Sequence, residues 1–208
     1  MSIFKFSNAG GFGNFQRYND FLAGNPTTPV VTDFGSMFPL GEFTLAATQA
    51  EITFTNIPQT YTHLQIRGIA RSDRASVATS LLYARLNGDT ASNYSYHALG
   101  GLGSGSGFST GSANSTLLFA SDSVTGSTAT AGMFGTSVID LLDYKNTNKF
   151  KTARVLGGMD INQSGGGNGY VGLYSGAWRN TNAVTSITLF TIGNFIAGTQ
   201  FALYGVNA

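Results

Sequence analysis

The chain has 208 residues, a net charge of +1, only 10% charged residues, 28 glycines and no cysteine. This balance offers no basic field for nucleic acid, and without thiols there are neither disulfides nor thiolate metal sites. No stretch approaches the ~20 apolar residues of a membrane span, and the length suits one domain with a substantial core.

A chain so poor in charge must cover its surface with hydroxyls, amides and backbone, which suits sheets and tight loops better than helices. The opening Met1-Ser2-Ile3-Phe4-Lys5-Phe6-Ser7-Asn8 lacks the continuous apolar run of a secretion signal. The expectation is a protein made and folded in the cytoplasm. Its Ser/Thr/Gly-rich surface nevertheless suits an extracellular particle, and a virion component released by lysis reconciles the two.

The chain divides into two regions. Residues 1–40 carry Phe4, Phe6, Phe12, Phe15, Tyr18 and Phe21 without helical or strand period, among glycines and three of the four prolines. Only 16–23 has the makings of a short helix. The pattern predicts an extended arm whose aromatics anchor it to a larger assembly, because buried aromatics dominate interface energetics, the alternative being an arm folded back on its own domain.

Residues 41–208 read as strands. Phe43 and Leu45 alternate in the first, Ile52 and Phe54 in the second. From His63 to Arg71, Leu64, Ile66, Gly68 and Ala70 fall inward, against His63, Gln65, Arg67, Ile69 and Arg71 outward. Further strands are expected over 81–86, 93–99, 116–120, 134–142, 151–160 and 170–178, with turn-rich segments at 121–132, 143–150 and 162–169. Gly100 to Asn114 is nearly all Gly and Ser and predicts a mobile surface loop.

The chain closes on two strands around a glycine turn, read as a hairpin over 185–206. Ile187 and Leu189 share one face, with Thr188, Phe190 and Ile192 on the other; Phe201 and Leu203 oppose Ala202, Tyr204 and Val206. Large apolar groups on both faces exceed what one core absorbs. Phe190, Ile192, Tyr204 and Val206 are therefore the candidates for a subunit interface. About ten short strands spaced by turns predict an all-β, jelly-roll-like antiparallel β-sandwich with an extended N-terminal arm.

Catalytic signals are weak. His63 and His97 stand in no metal-ligand spacing, and folding would have to bring them to Asp89 for a site to form. Glu42, Glu51, Asp140, Asp143 and Asp160 show no pairing that sequence can establish as a glycosidase dyad. The one GxGxxG match, Gly167, Gly169 and Gly172, runs into strand-like residues rather than a helix, so it is no dinucleotide loop. Trp178, Tyr94, Tyr96, Tyr170 and Tyr174 are possible sugar-stacking groups, with packing in the sandwich core or a subunit interface the better expectation. The reading is of a protein that is not an enzyme and needs no cofactor or metal.

Three phrases stand out: Ile52-Thr53-Phe54-Thr55-Asn56-Ile57-Pro58-Gln59-Thr60-Tyr61-Thr62-His63-Leu64; Leu86-Asn87-Gly88-Asp89 followed by Asn93-Tyr94-Ser95-Tyr96; and Gly193-Asn194-Phe195 with Gly198-Thr199-Gln200-Phe201-Ala202-Leu203-Tyr204-Gly205. Together, spanning 52–205, they resemble recurrent phrases of tailed-bacteriophage virion structural proteins. The resemblance implies a phage particle protein. It would be a head-decorating (cement) protein, typically a β-sandwich homotrimer on the major capsid protein, or a short tail fibre recognising a host surface glycan. It names no catalytic residue.

Overall fold

Period-2 burial runs through most strands of the computed structural model, which describes residues 36–103, 105, 107–161 and 169–207. In β9 the pattern is clean: Lys151, Ala153, Val155, Gly157 and Met159 are buried, and Thr152, Arg154, Leu156 and Asp160 are exposed. The described residues form twelve strands and no helix. They are β1 (Met37–Thr44), β2 (Gln49–Phe54), β3 (His63–Ala70), β4 (Thr79–Leu86), β5 (Tyr94–Leu102), β6 (Gly107–Ser115), β7 (Leu118–Thr125), β8 (Gly135–Leu142), β9 (Lys151–Asp160), β10 (Gly169–Trp178), β11 (Ile187–Phe195) and β12 (Gln200–Val206).

Two antiparallel sheets result, an eight-stranded one in the order β1-β12-β3-β8-β9-β10-β5-β6 and a four-stranded one in the order β2-β11-β4-β7. Four pairs are nested: β1 with β12, β2 with β11, β3 with β8, and β4 with β7. That nesting is a long hairpin rolled upon itself, the jelly roll. Strands β5–β6 and β9–β10 are additions to this frame, and both extend the larger sheet beyond β8. The core lies between the layers, with Leu64, Ile66, Val155, Phe201 and Leu203 meeting Ile52, Leu82, Ile187 and Leu189. Each such side chain contributes about 1.5–3 kcal/mol by leaving water.

Five expectations change. The closing strands are not a hairpin: β11 pairs with β2 and β4, while β12 pairs with β1 and β3. The glycine turn between them is a crossover from one layer to the other. The expected loop at 100–114 contains the end of β5 and most of β6, in register from Gly101↔Gly107 to Tyr94↔Ser115. A glycine–serine edge strand needs only one hydrogen-bonded neighbour and little side-chain burial, and Phe108 supplies that by stacking on Tyr170 at 5.4 Å. Strand β7 runs on to Thr125 through the expected turn, because Ser121, Ser123 and Ser137 satisfy one another in a buried triangle of hydroxyls at 2.7–2.8 Å.

Arg71, expected outward, is buried. Strand β3 ends at Ala70, so the alternation no longer governs it, and its guanidinium donates to the carbonyls of Ala129, Thr130 and Met133 at 2.8–3.0 Å. Finally, β1 begins at Met37, which moves the start of the sandwich into the region read as arm. Phe4, Phe6, Phe12, Phe15, Tyr18 and Phe21 lie outside the described residues.

Candidate interaction surface

On the outer face of the larger sheet, strand register aligns side chains into rows that cross the strands. One row reads Leu99 (β5), Leu173 (β10), Leu156 (β9) and Val138 (β8). Leu99, Leu173 and Leu156 are 59, 45 and 57% exposed, and Val171, two residues along β10 at the next outward position, is 63% exposed. Four strands at ~4.8 Å spacing make this ridge about 14 Å long.

The neighbouring row is polar: His97, Ser175, Arg154, Asp140 and Gln65. Arg154 Nη2 donates to Asp140 Oδ2 at 2.8 Å, and Gln65 Nε2 donates to Asp140 Oδ1 at 2.7 Å. Arg67 Nε donates to Gln65 Oε1 at 2.8 Å, and the Arg67 guanidinium carbon lies 6.0 Å from the centre of the Tyr204 ring. The charges of this row are thus largely answered within the sheet. Between ridge and row, a cleft of about 470 Å³ is lined by His97, Leu99, Ser109, Arg154, Leu173 and Ser175. On the ridge's other side stand Gly101 and Gly158, in register with Val171.

The four predicted interface residues do not share a face. Phe190 and Ile192 lie on the outside of the smaller sheet, Tyr204 and Val206 on the outside of the larger one, on opposite sides of the sandwich. Phe190 is half-buried, its ring 5.5 Å from Tyr83 and 4.5 Å from the Arg85 guanidinium carbon. The ridge residues were missed although the signal was present: Leu99, Leu156 and Leu173 are large aliphatics at the outward parity of strands whose inward parity is already apolar.

The sugar-stacking candidates are mostly inside. Trp178, Tyr94 and Tyr174 are nearly inaccessible, and Tyr170 is buried. Trp178 Nε1 donates to Asp89 Oδ2 at 2.7 Å, and the Tyr94 hydroxyl donates to the Asp89 carbonyl at 3.2 Å. Burial pushes the Tyr94 hydroxyl up to about 12. His63 and His97 do not meet: His63 Nδ1 accepts the Asp143 amide at 3.0 Å, four strands away from His97 in the sheet order. Glu42 and Glu51 sit on opposite outer faces. Among the described residues no three His, Asp or Glu side chains are grouped to hold a metal ion.

Residues of the three phrases form clasps between chain segments. Asn87 accepts the amides of Thr185 and Ser186 and donates to Ala183. Gln59 Nε2 bridges the carbonyls of Ile57 and Val184, and the Tyr144 hydroxyl donates to the Pro58 carbonyl. Asp73 receives both the backbone and side-chain donors of Asn194, which hold its carboxyl below the usual range. No protein-family model, curated protein or solved structure matches the chain.

Proposed function

We propose that this chain is a structural protein of a bacteriophage particle, a capsid decoration protein that works by covering surface rather than by catalysis. The observation that carries the reading is the exposed aliphatic ridge on a jelly-roll frame, a surface built to be covered. The clasp roles of Asn87, Gln59 and Asn194 are consistent with the reading, because they give the phrases that carry the resemblance a framework role rather than a catalytic one. Of the titratable groups considered from the sequence, Glu42 and Glu51 lie on opposite faces and His63 lies beside Asp143, four strands from His97. Burial of Trp178, Tyr94, Tyr170 and Tyr174 leaves the host-glycan alternative with Tyr96 of its five stacking groups, and that half-buried ring stacks on Phe119.

In this reading the N-terminal aromatics grip the major capsid protein, the site of action is the virion, and copies associate, as homotrimers in the arrangement the resemblance implies. The test is to label the protein in intact particles and measure its copy number. Even labelling of heads at high copy is expected, and label confined to tails, or absent from particles, overturns the reading. In the full-length chain, replacing Phe4, Phe6, Phe12, Phe15, Tyr18 and Phe21 with serine should abolish loading onto undecorated heads while the sandwich stays folded. Normal loading would remove the anchor role.

A further inference from the structure

Strand β6 ends the larger sheet and β7 ends the smaller one. A cavity of about 240 Å³ opens between the sheets there, lined by Thr79, Leu102, Phe108, Asp122, Gly169 and Tyr170. Phe108 and Tyr170 stack at 5.4 Å and, with Leu102, give it apolar walls. Asp122 is the one charged residue of the lining.

Only one oxygen of that carboxylate is answered. Tyr170 donates to Oδ2 at 2.8 Å and Tyr174 approaches the same atom at 3.4 Å, whereas no donor among the described residues reaches Oδ1. Ion pairs among the described residues join His63 and Lys149 to Asp143 and Arg154 to Asp140, leaving Asp122 without a cation. Arg74 comes to the rim but donates to the Thr79 carbonyl at 3.4 Å. Residues 104, 106 and 162–168, which adjoin the lining in the chain, include no Lys or Arg. A half-buried carboxylate without a cation costs stability, and burial raises this one above its ordinary value. An amide would accept the Tyr170 hydroxyl without that cost, so the charge answers a need other than folding.

We propose that this cavity receives a lysine side chain of a partner protein, its ammonium on Asp122 Oδ1 and its methylenes against Leu102, Phe108 and Tyr170. Charge complementarity selects a cation, and aromatic walls attract one further. A single free oxygen suits the point charge of an ammonium. A guanidinium fork pairs best with both oxygens of a carboxylate, and here Tyr170 holds one of them. The volume falls below the roughly 300–1,000 Å³ of small-molecule sites, so it fits the end of one side chain rather than a whole metabolite. This inference does not depend on the particle reading.

The experiment titrates the full-length chain at pH 7 with Nα-acetyl-lysine methylamide, following the backbone amide resonances of Phe108, Asp122, Gly169 and Tyr170. Saturable shifts at millimolar probe are expected. The norleucine analogue, which keeps the methylenes without the charge, should bind roughly tenfold or more weakly, and the arginine analogue more weakly than lysine. Asp122→Asn, which offers an amide in place of the carboxylate, should weaken lysine binding by a similar factor while the protein stays folded. Leu102→Ser alters an exposed wall, leaves Asp122 in place and should weaken binding severalfold. No saturable shift, equal binding of norleucine or arginine, or binding indifferent to either substitution would each overturn the proposal. Tighter binding of 1,4-diaminobutane than of the lysine probe would also overturn it, by making the occupant a free polyamine.

Discussion

Tyr170 donates its hydroxyl hydrogen to Asp122 Oδ2 at 2.8 Å, tying β10 of the larger sheet to β7 of the smaller one. Tyr174 joins them, its hydroxyl accepting the Asp122 amide at 2.9 Å and bonding to the Tyr170 hydroxyl. Burial raises the Asp122 carboxyl above its ordinary value, and the two tyrosine donors only partly offset that. A carboxyl raised on folding contributes most stability below its unfolded pKa, and that contribution is lost as pH rises through the folded value. Asp122→Asn, which keeps an acceptor for Tyr170 and removes the charge, should therefore melt higher than wild type at pH 7. The difference should shrink as pH falls below the ordinary carboxylate range. Thermal melts of both proteins between pH 3 and 7 check this, and a constant difference across the range would show that Asp122 does not titrate as its burial requires.

Close approach of the two sheets is paid for by small residues, and Gly135 is the tightest case. A Cβ there would fall on the Ser123 carbonyl, which is backbone and cannot rotate away. Gly135→Ala should cost about 3 kcal/mol or more. Gly101→Ala, where a Cβ meets nothing within 4 Å, should change stability by under about 1 kcal/mol. Denaturant titration of the pair gives the comparison directly.

Lys151 is wholly buried, and its ammonium donates to three carbonyls, those of Asn146 (2.5 Å), Lys149 (2.9 Å) and Thr181 (3.1 Å). It joins the 143–150 and 179–186 connections at one end of the sandwich. Lys151→Met fills similar space but leaves those carbonyls without their donor, and should destabilise by about 3 kcal/mol. Hydrogen exchange should quicken first at 144–150 and 179–184.

The single tryptophan provides a local reporter. Asp89 accepts Trp178 Nε1 at 2.7 Å, Asn93 Nδ2 at 2.9 Å and the Ala91 amide at 2.8 Å. Burial works against its charge, but the Asn93, Trp178 and Ala91 donors outweigh it and hold the carboxyl below the ordinary range. The stability this contributes is present above the unfolded pKa and is lost as pH falls through the lowered folded value. Asp89→Ala should cost about 2 kcal/mol and shift Trp178 emission to the red in the folded state. Unchanged emission and stability would remove Asp89 from the clasp.

The sequence made much of this molecule legible residue by residue. Alternation in Leu64, Ile66 and Ala70 or in Phe201 and Leu203 placed them in the core, and the parity of Phe190 against Leu189 was right. The same alternation could not say that Phe190 and Tyr204 belong to opposite sides of the sandwich. Nor could composition reveal β6 or the serine end of β7, since glycine and serine announce loops unless a neighbouring strand or hydroxyl holds them. Arg71 was misplaced because its burial depends on three carbonyls about sixty residues away.

By itself the sequence determined the all-β class, the inward and outward parity of most strands, and the surplus of apolar surface. Those follow from side-chain chemistry and the two-residue pleat, which are local. Tertiary structure decided which strands pair, and so which outward residues become neighbours. Pairing runs through backbone hydrogen bonds that are the same for every residue type, so its register is set by the whole roll rather than by any one strand. Leu99, Leu156 and Leu173 are 57 and 17 residues apart in successive steps along the chain, and only that register makes them one ridge.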